Sequence, residues 1–144
     1  MLWNGLSRYK DLGMLILRLG VGLGYAFIHG WGKISGGPER WAGIGEAMGT
    51  FGITFGYTFW GFMASFAEFV GGLLFAFGLF FRSMCALLAF TMLVATTNHL
   101  ASGDSWRGAA HALKMMFVFT GMLFIGPGKY SVDAMLVGAR RYNR

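Results

Sequence analysis

Charged residues are scarce in this chain. Only 12% of its 144 residues are charged and 56% are hydrophobic, whereas an ordinary soluble domain carries about 25% charged residues. This composition indicates a membrane protein. The length allows about four bilayer-spanning helices with short connections, which leaves no room for a soluble catalytic domain. We therefore predict one integral membrane domain over residues 1–144.

Cysteine and proline are almost absent. The single cysteine, Cys85, excludes an intramolecular disulfide and a Cys-x-x-Cys redox pair, so thiol–disulfide chemistry would require a partner protein. The two prolines, Pro38 and Pro127, adjoin glycines in short segments where we expect helices to end. These segments separate the apolar runs described next.

Four apolar runs predict four transmembrane helices, over about residues 12–28, 55–81, 84–100 and 109–125. Between the first two runs, over about residues 39–51, apolar residues recur at helical spacing with Glu46 turned away from them. This pattern is typical of a helix that lies in the plane of the membrane interface. The predicted fold class is an all-α four-transmembrane-helix bundle with a short interfacial helix between spans one and two.

The cations flank the spans unevenly. One side of the predicted bundle carries seven lysines and arginines, and the other carries three (Arg8, Lys10, Arg82, Lys129, Arg140, Arg141 and Arg144, against Lys33, Arg40 and Arg107). The positive-inside rule therefore predicts that both termini are cytoplasmic. The net charge of +6 does not indicate nucleic acid, because the cations do not follow an exposed aromatic-rich face. We expect contact with anionic lipid in the bilayer and no nucleic-acid partner.

Spans one and two carry ionisable residues in apolar surroundings. On a helical projection Arg18, Tyr25, His29 and Lys33 form one polar stripe of span one. Glu68 lies near the middle of span two and requires a countercharge, which we predict to be Arg18, with Lys114 approaching from the other side. Two interpretations remain open: an ion pair that fixes helix register, and a carboxylate that accepts protons or binds hydroxyl groups in a cavity.

Small residues share the face of span two that carries Glu68. They are Gly61, Ala64, Ser65 and Gly72. Because these side chains occupy little volume, another helix or a flat ligand can come close to this face.

The three histidines are predicted to converge near the outer leaflet. His29 ends span one, His99 ends span three and His111 begins span four. Imidazole can bind zinc, copper or haem iron, can exchange a proton with a quinone head group, or can serve only as a structural hydrogen-bonding group. We predict no metal, with a site formed by the three histidines as the weaker alternative. The predicted ligand or quinone pocket is lined by Arg18, Tyr25, His29, Glu68, His99, His111 and Lys114.

Several motifs together resemble the DoxX family of small bacterial membrane proteins. They are Arg18-Leu19-Gly20, His29-Gly30 with Lys33, Glu68 followed by Gly71-Gly72 and Gly78, and the terminal run from Gly126 to Asp133. The resemblance covers about residues 12–133 and implies a four-helix bundle in the bacterial cytoplasmic (inner) membrane. The recurrent polar residues of the family match Arg18, His29, Lys33, Glu68, Tyr130 and Asp133. This chain departs from the family at His111, where such proteins often carry an acidic residue.

The resemblance implies a redox partnership rather than a particular reaction. Members resemble subunits associated with thiosulfate oxidation to quinone and with membrane-bound oxidoreductase complexes. Our first hypothesis is therefore a redox-associated membrane subunit that binds quinone or another small ligand, with no catalytic residue assigned. The alternatives are a non-catalytic accessory subunit that packs against a larger membrane complex or a second copy of itself, and a small-solute or ion carrier.

Overall fold

The computed structural model describes residues 5–142, with side chains up to residue 138. The side chains of Arg140 and Arg141, and all of Arg144, lie outside the described part. Four helices are long and apolar enough to span a membrane: α1 (Leu6–Ile34), α3 (Tyr57–Phe77), α4 (Phe81–Ala101) and α5 (Trp106–Ile125). The shorter helices are α2 (Gly37–Gly45) and α6 (Val132–Tyr142). The predicted all-α, four-span fold class is confirmed, although α1 is longer than predicted and α3 ends earlier.

The four long helices alternate in direction. The helix α1 packs antiparallel to α3, with Gly22 against Gly72 and Gly30 against Phe69. Tight turns then join α3 to α4 and α4 to α5. We call the end of the bundle at Phe77 and Phe81 the lower end, and the end at Tyr57, Ala101 and Trp106 the upper end. The core between the helices contains buried aromatic and aliphatic side chains, including Tyr25, Phe75, Phe81, Leu88 and Phe119.

The predicted interfacial placement of residues 39–51 is not confirmed. A helix is present there, as α2 followed by a 3₁₀ segment over Glu46–Phe51. A Cβ added at Gly45 would overlap the Tyr57 carbonyl, and one added at Gly61 would overlap the Trp41 carbonyl. The two contacts are about one turn apart on each helix, and their order along α2 is the reverse of their order along α3. Because the contact extends lengthwise, α2 lies antiparallel along the upper half of α3, in continuation of α1.

The lower end is closed by the terminal motif. The Asp133 carboxylate accepts hydrogen bonds from the main-chain N–H groups of Phe80 and Phe81, at 3.0 and 2.9 Å, and so caps the start of α4. The Asp133 N–H in turn donates to the Gly78 carbonyl at 3.0 Å. Gly78 has a φ of +69°, which favours glycine at this turn. The motif after α5 therefore ties the α3–α4 turn to the rest of the bundle.

Candidate functional site

Glu68 forms an ion pair with Lys33. The Lys33 Nζ donates a hydrogen bond to Glu68 Oε1 over 2.7 Å and lies 2.6 Å from Oε2. The Glu68 side chain is 4% exposed and that of Lys33 is 31% exposed. The contact at Oε2 is an ion pair without hydrogen-bond geometry, and within the described residues Oε2 accepts no other hydrogen bond. A buried carboxylate is thus held in place by one partly exposed lysine, which contacts both of its oxygen atoms.

The predicted pairing of Glu68 with Arg18 is wrong. Arg18 is fully buried at the lower end, where its Nη2 donates to the Tyr130 carbonyl over 2.6 Å. A Cβ added at Gly78 would overlap Arg18 Nη1, which places the guanidinium level with the α3–α4 turn. Ten residues of α3 separate Gly78 from Glu68, or about 15 Å along the axis. Arg18 therefore holds the terminal loop and does not neutralise Glu68.

Both helices that carry the ion pair are π-helical beside it. Tyr25–Gly30 in α1 and Ala67–Gly71 in α3 widen the helix locally, and the two segments face each other at the contact of Gly30 with Phe69. Single-turn π segments are rare in proteins and occur frequently at functional sites. The first segment contains Tyr25 and His29, and the second contains Glu68. The local backbone thus singles out the region of the ion pair.

Tyr25, His29 and His111 form a cluster next to the ion pair. The His29 and His111 rings are stacked with centroids 5.1 Å apart, and the Tyr25 ring lies 5.2 Å from that of His29. The Tyr25 hydroxyl donates to the sulfur of Met92 over 3.1 Å and lies 3.3 Å from His111 Nε2. His29 is also close enough to Glu68 and Lys33 to interact with them electrostatically. Two of the three predicted histidines therefore meet, together with the predicted tyrosine.

His99 and Lys114 are not part of this cluster. The His99 Nδ1 lies 2.6 Å from Asp104 Oδ2, and both side chains are about half exposed. No group of three or more histidine, cysteine or acidic residues in the described part of the chain is arranged to hold a metal ion, so the alternative metal site at His29, His99 and His111 is not formed. Lys114 is exposed on α5 and does not approach Glu68.

A cavity of about 280 Å³ adjoins the ion pair, and none of the three histidines lines it. It lies between α2, α3 and α4, and Lys33 and Glu68 are the charged residues in its wall. The remaining wall is almost entirely apolar and includes Met48, Phe59, Trp60, Met63, Phe90 and Val94. Of the seven predicted pocket residues only Glu68 lines this cavity. The arrangement suits an elongated ligand with an apolar body and a polar end.

Three of the four small residues on the Glu68 face of α3 adjoin another helix or the cavity, and the fourth, Ser65, donates its hydroxyl to the Gly61 carbonyl. Gly61 receives the backbone of α2, and Gly72 receives that of α1. Ala64, between them, lines the cavity. The predicted close approach of a helix to this face is therefore confirmed at two positions. At Ala64 the small side chain leaves the space that forms part of the cavity.

Sequence reasoning missed Lys33 as the partner of Glu68 and missed the cavity. It ended span one near residue 28, which placed Lys33 in the head-group region, whereas α1 continues to Ile34 and α2 extends beyond it. Lys33 therefore lies level with Glu68. The available signal was the spacing of four between His29 and Lys33, which placed Lys33 on the polar stripe. No sequence signal pointed to the α4 wall of the cavity.

Comparison with known proteins supports the family and the membrane architecture. A DoxX family model matches residues 13–101, which is more than half of the chain and includes Arg18, His29, Lys33 and Glu68. The match ends before the terminal motif that closes the lower end. No curated protein and no solved structure matches the chain. With four apolar spans and this match, the chain is a multi-pass membrane protein that belongs to the DoxX family.

Proposed function

We propose that this protein is a redox-associated membrane subunit that binds the head group of a quinone, or a similar amphipathic ring, in the cavity beside Lys33 and Glu68. The observation that carries the proposal is the combination of an apolar cavity with one charged pair at its edge. A volume of about 280 Å³ is at the small end of ligand pockets. It suits one ring, with an attached tail leaving between the helices toward lipid.

The charged pair offers both kinds of hydrogen bond that such a ring requires. Lys33 carries three N–H donors, which can reach a ring carbonyl. Glu68 Oε2 contacts Lys33 Nζ without hydrogen-bond geometry and accepts no other hydrogen bond from the described residues, so its lone pairs can receive a ring hydroxyl or a proton. In an apolar cavity these bonds favour a ligand with oxygen atoms at one end, because a ligand without them would bury the polar atoms of the pair without hydrogen bonds to replace those of water.

A quinone also needs an electron donor, which we propose to be a partner oxidoreductase in the same membrane. The chain has a single, buried cysteine and hence no dithiol of its own. We further propose that the protein lies in the bacterial inner membrane with both termini in the cytoplasm, following the distribution of flanking cations. In this orientation the cavity opens in the outer half of the bilayer.

Titration with decylubiquinone in lipid nanodiscs tests the proposal. Trp60 lies in the cavity wall, so a bound quinone is expected to quench its fluorescence in a saturable manner. Glu68→Gln and Lys33→Gln should each weaken binding by about tenfold or more, since each loses a hydrogen bond to a charged group. Ala64→Leu should abolish binding by filling the cavity.

The matched control is Ala86→Leu, which adds the same volume at an exposed position of α4 outside the cavity. It should leave the titration unchanged. Equal quenching in the Ala64→Leu and unsubstituted proteins would contradict the proposal, and so would the absence of saturation.

A further inference from the structure

A second cavity, of about 500 Å³, lies at the lower end of the bundle, far from the Lys33–Glu68 pair. It is lined by Arg8, Tyr9, Asp11, Leu12, Lys129 and Tyr130. Neither Arg8 nor Lys129 forms an ion pair with a carboxylate in the part of the chain that the structure describes. Two cations thus share one cavity with a single carboxylate, that of Asp11, and neither is ion-paired to it.

Each of these cations lies over the ring of the tyrosine next to it in the chain. The Arg8 guanidinium is 4.8 Å from the centroid of Tyr9, and the Lys129 Nζ is 4.9 Å from that of Tyr130. Cation–π contacts of this kind restrict a long side chain while leaving its N–H donors available. The two phenol hydroxyls add further donors at the same site.

The loop that carries Lys129 is held to α1 by two bonds. The Lys129 N–H donates to Asp11 Oδ1 over 3.0 Å, so the acidic side chain in the lining is engaged with the main chain. The Tyr130 carbonyl accepts the bond from buried Arg18 over 2.6 Å. The backbone of Lys129 is therefore fixed against α1, the helix that carries Arg8, which reduces the entropic cost of binding an anion between the two cations.

An apolar surface begins at the same place. Leu12 lines the cavity and is 45% exposed, and Ile16, one turn further along α1, is 64% exposed. Residues four apart lie on the same helix face, so this strip continues from the cations toward the middle of span one. A head group at the cavity would have its acyl chains beside this strip.

We propose that the lower cavity binds the phosphate of an anionic glycerophospholipid, with Arg8 and Lys129 as its cationic contacts and the Leu12–Ile16 face as the contact for the acyl chains. The site does not depend on the proposed quinone site. Two cations, two phenol hydroxyls and one leucine at the membrane boundary, against the single carboxylate of Asp11, match a phosphodiester better than a zwitterionic head group, whose ammonium the cations repel.

Native mass spectrometry of the full chain released from micelles tests this site. Phosphatidylglycerol and phosphatidylcholine are titrated separately, and the fraction of protein that retains one lipid is measured. Retention of phosphatidylglycerol should be the stronger. The double variant Arg8→Gln/Lys129→Gln should reduce its affinity roughly tenfold or more, because each cation contributes near an anionic surface.

The control is Lys10→Gln/Arg82→Gln, which removes two exposed cations of the lower end that do not line the cavity. It should retain the lipid as the unsubstituted protein does, and circular dichroism should show the same helix content in all three proteins. Equal losses in both double variants would overturn the site in favour of diffuse surface charge. Full competition by glycerol 3-phosphate would assign the cavity to soluble phosphate esters and overturn the lipid.

Discussion

Lys33 Nζ lies within 2.7 Å of both carboxylate oxygens of Glu68, across the contact of α1 with α3. The pair sits beside two facing π-helical segments and forms the charged part of the wall of an apolar cavity. The stacked rings of His29 and His111 lie nearby and do not line the cavity. The ion pair therefore lies close to both an apolar cavity and a polar cluster, and its energetics can be tested directly.

A double-mutant cycle should show strong coupling between these two residues. Lys33→Met leaves a carboxylate that is 4% exposed without its cation, and breaking such a pair typically costs about 3–5 kcal/mol. Glu68→Leu should cost less, because the remaining lysine is partly exposed. The double variant should be more stable than Lys33→Met alone. The free energy of unfolding in mixed micelles measures this, and additive effects would argue against the pair.

Alanine at the glycines between α2 and α3 should destabilise the bundle. Gly61→Ala and Gly45→Ala would each place a methyl group against a backbone carbonyl that cannot move without separating the helices. We expect losses of about 2 kcal/mol or more in thermal unfolding. Gly20→Ala is the matched control, since nothing lies within 4 Å of its added Cβ. A stable Gly61→Ala protein would contradict the lengthwise packing of α2.

The cap on α4 should contribute measurably to stability. Asp133→Ala removes the acceptors of the Phe80 and Phe81 N–H groups, and loss of a helix cap costs about 0.5–2 kcal/mol. Asp104→Ala is a suitable control, because it removes an exposed carboxylate whose pair with His99 should be worth about 0–1 kcal/mol. Asp133→Ala should have a lower thermal unfolding temperature than Asp104→Ala. The reverse order would show that the terminal motif does not stabilise α4.

The orientation can be tested by labelling with an impermeant maleimide. Cys85 is fully buried, so the natural chain should provide an unreactive background. In intact cells Asp104→Cys should be labelled and Lys10→Cys should be protected until the membrane is opened, as the positive-inside rule requires. Labelling of Lys10→Cys in intact cells would invert the proposed orientation.

The spans could be predicted from the sequence because their composition and length are sufficient to identify them. Their ends were less accurate, since span one was ended near residue 28, although the expected stop beside Pro38 lies just after Ile34, where α1 ends. In an apolar environment a helix retains its internal hydrogen bonds even through glycines, because there is no water to satisfy the backbone. As a result α1 continues to Ile34, and the helix after it packs along α3.

The candidate site could be predicted only in part, because it depends on the register of α1 against α3. That register is set by the contacts of Gly22 with Gly72 and of Gly30 with Phe69, which have no polar or periodic signature. With this register Arg18 meets the Gly78 turn and Lys33 meets Glu68. Charge and depth alone favoured Arg18 as the partner of Glu68. The sequence correctly predicted that Tyr25, His29 and His111 cluster, but it wrongly placed His99 with them.

Photoaffinity labelling with a short-tailed azidoquinone tests the central claim most directly. The protein in nanodiscs is irradiated with and without excess decylubiquinone, and the labelled residues are identified by mass spectrometry. We predict protectable labelling within residues 44–48, 59–68 and 87–95, which form the cavity wall. Protectable labelling at Tyr25, His29 or His111 instead, or label spread over lipid-facing residues such as Phe124 without protection, would contradict a quinone site beside Lys33 and Glu68.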